Sequence, residues 1–142
     1  MLSGIPYKPG VMMRNYTCIV CPLGCSLELN GSAPDNLSVS GNICPRGEVY
    51  AIEEFLSPKR IVTATAAIKK CRDNNNGQEM YSGSVRRIPV KTTIPCPCDK
   101  ITALLQDIYK LEISLPVRAG DVLIADWNRE GIDICVTRTI IN

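Results

Sequence analysis

The sequence of 142 residues predicts an α+β protein: a small, loop-rich N-terminal domain with a β-hairpin, followed by a small α+β C-terminal domain. Three observations carry this. Segments 26–30 and 37–40 alternate polar and apolar residues, as two half-buried strands do. Residues 99–111 place Ile101, Leu104, Leu105, Ile108 and Leu111 at three- and four-residue spacing, which makes one apolar helical face. Segments 117–126 and 132–140 are strand-like and flank a turn near Asn128–Gly131.

The elements follow in chain order. Residues 1–13 carry Gly4, Pro6, Pro9 and Gly10 and are expected to form a flexible lead-in. Ser26-Leu27-Glu28-Leu29-Asn30 and Leu37-Ser38-Val39-Ser40 make the expected hairpin, which lies between Cys25 and Cys44. Residues 47–56 read as a helix, with Val49, Ile52, Glu53 and Leu56 at helical spacing and Pro58 as its stop. Residues 61–68 are rich in β-branched side chains and read as a strand. Residues 72–84 are polar and turn-rich. The expected organisation is therefore a cysteine-rich domain over 14–70, a linker over 71–84 and an α+β domain over 85–142. Asp99 is the expected cap of the 99–111 helix.

Composition narrows the chemistry. Hydrophobic residues make up 45 % and aromatics only 5 %, so the core is built from Ile, Val, Leu and Ala. There are 8 cysteines and no histidine. The missing histidine excludes a Ser-His-Asp triad, a Cys-His nucleophile, His-ligated zinc and a His-ligated haem. A transition metal here would be held by cysteine or carboxylate. The formal net charge of +2 is too small for a polyanion-binding stripe. The pairs Lys69-Lys70 and Arg86-Arg87 read as solvated surface. No apolar run reaches the ~18 residues needed to span a bilayer, and residues 1–13, with Pro6, Lys8 and Pro9, lack the continuous apolar stretch expected of a signal peptide. A cytoplasmic location is expected, where eight cysteines point to metal or redox work more than to disulfides.

Cys18, Cys21, Cys25 and Cys44 form the pattern C-x2-C-x3-C-x18-C. Three thiolates in one loop wrap one side of a compact centre, and the hairpin returns the fourth beside them. An iron–sulfur cubane takes four such thiolates, set wider apart than the ligands of one ion. Gly24 and Gly47 let backbone approach the centre without a Cβ, and Pro22 and Pro45 keep the loops from coiling. Four thiolates on an oxidised [4Fe–4S] core sum to −2, which Arg46 and Arg14 are placed in sequence to offset. The main rival is zinc on four cysteines, in a structural interaction or nucleic-acid-binding module. Zinc ribbons usually pair two C-x2-C knuckles, and here Cys44 stands alone. Radical enzymes that use S-adenosylmethionine reverse the spacing of the first three cysteines and need a far longer chain. Free thiols and disulfides remain further readings.

Residues 18–60 resemble the N-terminal iron–sulfur segment of the molybdopterin-dependent oxidoreductases, through Cys18, Cys21, Pro22, Gly24, Cys25, Gly41, Cys44, Arg46, Gly47, Pro58 and Arg60. That resemblance implies a [4Fe–4S] cluster on the four cysteines, with Arg46 on the side where that family holds its pterin. The chain ends where the molybdopterin-binding domains would begin, so molybdenum is not implied. Residues 14–140 resemble a small bacterial family of uncharacterised proteins, through the same cysteines, Pro89-Val90-Lys91-Thr92, Pro116-Val117, Gly120-Asp121-Val122 and Gly131-Ile132-Asp133. Its genes lie beside an anaerobic-type glycerol-3-phosphate dehydrogenase and an FAD/NAD-linked oxidoreductase. The resemblance implies an electron-transfer subunit with a single cluster, relaying electrons between flavoprotein partners; no activity alone is expected and, from the small net charge, no nucleic-acid partner.

Cys71, Cys96, Cys98 and Cys135 are a weaker candidate for a second four-thiolate site. Cys96 and Cys98 precede a helix, whose N-terminus lowers thiol pKa values. The plainer reading is spare thiols, with Cys135 packed in a strand. Neither a phosphate loop nor a dinucleotide-binding glycine fingerprint occurs. Asp121, Asp126 and Asp133 read as turn and strand-edge residues, Trp127 as half-buried packing or an exposed contact for a partner, and Lys91 as an exposed lysine or a contact for an acidic surface.

Overall fold

Alternation at Ser26-Leu27-Glu28-Leu29 becomes a strand whose two leucines are fully buried while Ser26 and Glu28 face out. In this computed structural model residues 12–32, 36–72, 75–81 and 84–141 are described. The chain is α+β and divides into two compact units, Met1–Pro58 and Lys59–Asn142.

In the first unit β1 (Met12–Thr17), β2 (Ser26–Ser32) and β3 (Asn36–Ser40) form an antiparallel sheet in the order β1-β2-β3. The hairpin expected between Cys25 and Cys44 is present. The edge strand β1 occupies part of the expected lead-in, whose residues 1–11 lie outside the described residues. Its side chains show no clean alternation, since Met13, Arg14 and Asn15 are all exposed. Backbone pairing with β2, from Met12↔Gly31 to Thr17↔Ser26, holds it instead. Helix α1 (Pro45–Leu56) starts on a proline at its first position, where the missing N–H costs nothing. Its buried residues are Gly47 and Ala51, with Tyr50, Ile52 and Phe55 packed alongside. The expected face of Val49 and Leu56 instead stands about half exposed, at 55 % and 49 %. Small residues win here because they let the helix lie close to the sheet: a Cβ on Gly47 would stand 3.0 Å from Asn42 Cβ and 3.4 Å from Leu27 Cδ2.

The second unit is built on a five-stranded sheet. The unit's strands comprise β4 (Lys59–Arg60) and β9 (Cys96–Pro97), which pair, β6 (Cys71–Arg72) and β7 (Glu79–Met80), which pair, and β5 (Thr63–Ile68) and β8 (Arg87–Thr92) of the main sheet. Helix α2 (Ile101–Lys110), β10 (Glu112–Ile113), β11 (Val122–Trp127) and β12 (Ile132–Val136) complete it. The main sheet runs β10-β5-β8-β12-β11, antiparallel except for β10 on β5. Leu104 and Ile108 of α2 are buried with Ala66, Ile88, Val90, Ile132, Ile134 and Val136 of the sheet, and Ile101, Leu105 and Leu111 flank them. This is the helical face the spacing predicts.

Two expectations change here. The division expected across 71–84 falls between Pro58 and Lys59, because β5 hydrogen-bonds along β8 and so draws residues 59–70 into the second unit. Within 71–84, β6 and β7 pair as a short ribbon, and residues 73–74 and 82–83 lie outside the described residues. Asp99 does not cap α2. It sits inside a three-residue 3-10 turn, Cys98–Lys100, so Lys100 takes the cap position without a side-chain cap bond. Turn Asn128–Gly131 forms as expected, with Asn128, Arg129 and Gly131 at positive φ and the Asp126 carboxylate accepting the Gly131 N–H at 2.7 Å.

Candidate metal centre

Sheet register brings both cysteine-bearing segments of the first unit to one end. Thr17 pairs with Ser26, so residues 18–25 are the loop that closes β1 onto β2. Glu28 pairs with Ser40, so the chain leaving β3 runs past Ser26 on its way to Cys44. Gly41 makes this passage possible. Its φ is +83°, and a Cβ there would overlap the Ser26 carbonyl oxygen.

Within the loop the Cys18 N–H donates to the Cys25 carbonyl at 2.8 Å and pinches its two ends together. The Gly24 N–H donates to the Cys21 carbonyl at 3.4 Å in a turn. Cys18 is buried in the small core with Leu27, Leu29 and Ala51, and Cys25 packs against that core. Cys21, Cys25 and Cys44 keep partial exposure. Cys44 is the residue from which α1 starts, and its carbonyl accepts from Asn42 Nδ2 at 3.2 Å.

Electrostatics single out Cys44. The Arg46 side chain hydrogen-bonds its sulfur, and the amides of Arg46 and Gly47 add to this, so its pKa falls below the ordinary thiol range. Arg46 thus stands where the sequence places it. Arg14 does not. It lies on β1 opposite Leu29, away from the cysteine end, with its guanidinium 5.5 Å from the Phe55 ring. Gly24, at φ +60°, lies in the turn with open space where its Cβ would be, and Gly47 admits Asn42 and Leu27.

Among the described residues, no three His, Cys, Asp or Glu side chains stand closely enough to hold one metal ion. The segments that bear the four cysteines share an end of the sheet, and no three of their side chains form such a group. The set Cys71, Cys96, Cys98 and Cys135 is likewise not assembled. Cys71 is exposed on the β6–β7 ribbon, Cys98 is exposed, Cys96 is buried opposite Arg60, and Cys135 is buried opposite Lys91. The lowered pKa expected for Cys96 is reversed: burial pushes it up, and the charge of Glu130 adds to this. Helix α2 begins beyond the intervening 3-10 turn, so its N-terminus does not offset that burial. Trp127 is more buried than expected. Its indole N–H donates to Asp107 Oδ2 at 3.0 Å, a bond that composition and spacing do not announce.

These features define a small α+β chain with four cysteines on the segments that meet at one end of a three-stranded sheet. Residues 78–138, inside the second unit, match a family described as a protein of unknown function, DUF1667. The chain is also similar to a Clostridium perfringens protein solved by NMR, at 20 % identity and a TM-score of 0.47, covering 58 % of this chain and 85 % of that one. No curated protein matches it. Among the described residues no helix is long and apolar enough to cross a membrane.

Proposed function

We propose that the chain is an electron-transfer subunit with one [4Fe–4S] cluster on Cys18, Cys21, Cys25 and Cys44. The observation that carries this is the register that sets residues 18–25 and 41–44 at the same end of one sheet. Sulfur-only donors in Gly- and Pro-bearing loops fit such a cluster, which would supply one-electron chemistry. The chain's own residues would hold the thiolates, and Arg46 would offset their charge. Ile19 and Ile43 each adjoin a cysteine in this set and Leu23 lies two residues from both Cys21 and Cys25; they are 76 %, 75 % and 72 % exposed, an apolar rim suited to a protein partner. Flavoprotein subunits of a glycerol-3-phosphate dehydrogenase-like complex are the proposed partners, on the family resemblance, and a reducing cytoplasm is the proposed setting.

The test is anaerobic purification followed by metal, sulfide and absorption analysis. About four irons and four sulfides per chain, with a visible band bleached by dithionite, support the reading. Stoichiometric zinc in a colourless protein would replace it with a structural module.

A further inference from the structure

The two dibasic pairs that read as separate solvated surface in the sequence are neighbours in the second unit. Pairing of β5 with β8 sets Ala67 opposite Arg87, and the Ile68 N–H donates to the Arg86 carbonyl at 3.0 Å. Lys69 and Lys70 therefore leave the sheet beside Arg86 and Arg87, and β6 adds Arg72 at once. All five cations are exposed. They belong to the unit that carries the chain's positive excess. Residues 59–142 hold thirteen Lys and Arg against nine Asp and Glu, whereas residues 1–58 hold three against five.

Four of these cations are available to a partner. Arg87 is tied back, donating to Thr65 Oγ1 at 2.7 Å and the Thr65 carbonyl at 2.6 Å. Lys70 and Arg86 lie 5.8 Å and 5.3 Å from the Tyr81 ring centre, so the electron-rich ring holds two like charges side by side. Lys69, Lys70, Arg72, Glu79, Tyr81 and Glu112 line a cavity of about 470 Å³ at this end of the sheet. The Lys70–Glu79 pair, at 3.5 Å, is about half exposed and weakly held.

From this juxtaposition we infer that the end of the sheet formed by Lys69, Lys70, Arg72 and Arg86 is a docking surface for an acidic protein face of mixed charge. Cation excess steers such a face in. Glu79 and Glu112 stand in the cavity wall, where they repel a uniformly negative polymer, while a protein face can set a cation against each. Tyr81 already has cations on its ring, which leaves it poorly placed to stack a nucleic-acid base. The inference is independent of what the four N-terminal cysteines hold.

The experiment is fluorescence anisotropy on the full chain at low and physiological salt. Its probes are a labelled Glu-rich peptide with interspersed lysines and a single-stranded oligonucleotide of equal net charge. The peptide binds more tightly than the oligonucleotide, and the double variant K70E/R86E weakens it by about tenfold. The control R118E/R138E reverses two exposed cations elsewhere in the unit and weakens it by less than about threefold. K69E/R72E leaves the Tyr81 contacts in place and gives the same loss as K70E/R86E, which excludes a local folding defect. Tighter oligonucleotide binding, equal weakening by the control, an unaffected K69E/R72E, or no peptide binding at low salt would each overturn the inference.

Discussion

The two units hold themselves together by different means. Residues 59–142 bury an extended core, with Ala66, Ile88, Val90, Leu104, Ile108, Ile132, Ile134 and Val136 all nearly inaccessible. Among the described residues of 1–58, Leu27, Leu29, Ala51 and Cys18 are the buried core, with Tyr16, Leu37, Val39, Ile52 and Phe55 partly buried against it. At about 1.5–3 kcal/mol for each large buried side chain, the second core contributes more stability than the first among the described residues. On the proposed reading, thiolate–metal bonds would staple the smaller core, and the cysteines would have a structural part as well as an electronic one.

Substitutions break this comparison in a graded way. The largest effect is expected from Cys44→Ser: loss of the iron and sulfide that the proposed cluster would hold, and loss of amide protection across residues 12–56 with that of residues 59–141 unchanged. Hydrogen exchange read by mass spectrometry separates the two regions. Next comes Leu104→Ala, which empties a fully buried site and costs the second unit about 3 kcal/mol in denaturant unfolding, with iron content unaltered. Gly41→Ala forces a Cβ onto the Ser26 carbonyl, should cost the first unit about 2 kcal/mol, and should lower iron occupancy as the Cys44 segment is displaced.

The smallest effect is a pH dependence confined to the second unit. The indole N–H of Trp127, and then Lys110, hold the Asp107 carboxyl below its ordinary range, and Lys100 does the same for Glu130. A depressed folded pKa contributes stability that is present above the unfolded value and is lost as pH falls through the folded one. Acid should therefore weaken this unit as these carboxylates protonate. Trp127→Phe removes the indole donor, so the drop in melting temperature between neutral and acid pH should be smaller in the variant. An equal drop in both proteins would place the acid sensitivity elsewhere.

How much was legible in the sequence differs between the units for physical reasons. Periodicity revealed β2, β3, α2, β11 and β12, because Leu27 and Leu29, or Leu104 and Ile108, repeat at the period of their element. It gave the wrong face for α1, since Gly47 and Ala51 are buried for their smallness and not their hydrophobicity. It missed β1, which is held by backbone pairing, and β8, where Pro89 interrupts the β-branched pattern. At the cysteine site, spacing pointed to the loop 18–25 and to Cys44, and Arg46 beside it. Arg14 looked equivalent to Arg46 by proximity in sequence, but a strand carries it along the sheet to Phe55. The charge cluster of Lys69, Lys70 and Arg86 depends on strand pairing across sixteen residues, which no local pattern records.

Native mass spectrometry of the anaerobically purified chain, compared with its Cys44→Ser variant, tests the central claim most directly. The account predicts that the unmodified chain carries about four irons and four sulfides and that the variant carries none. A bare chain, a single zinc ion, or a variant that retains its iron would contradict it.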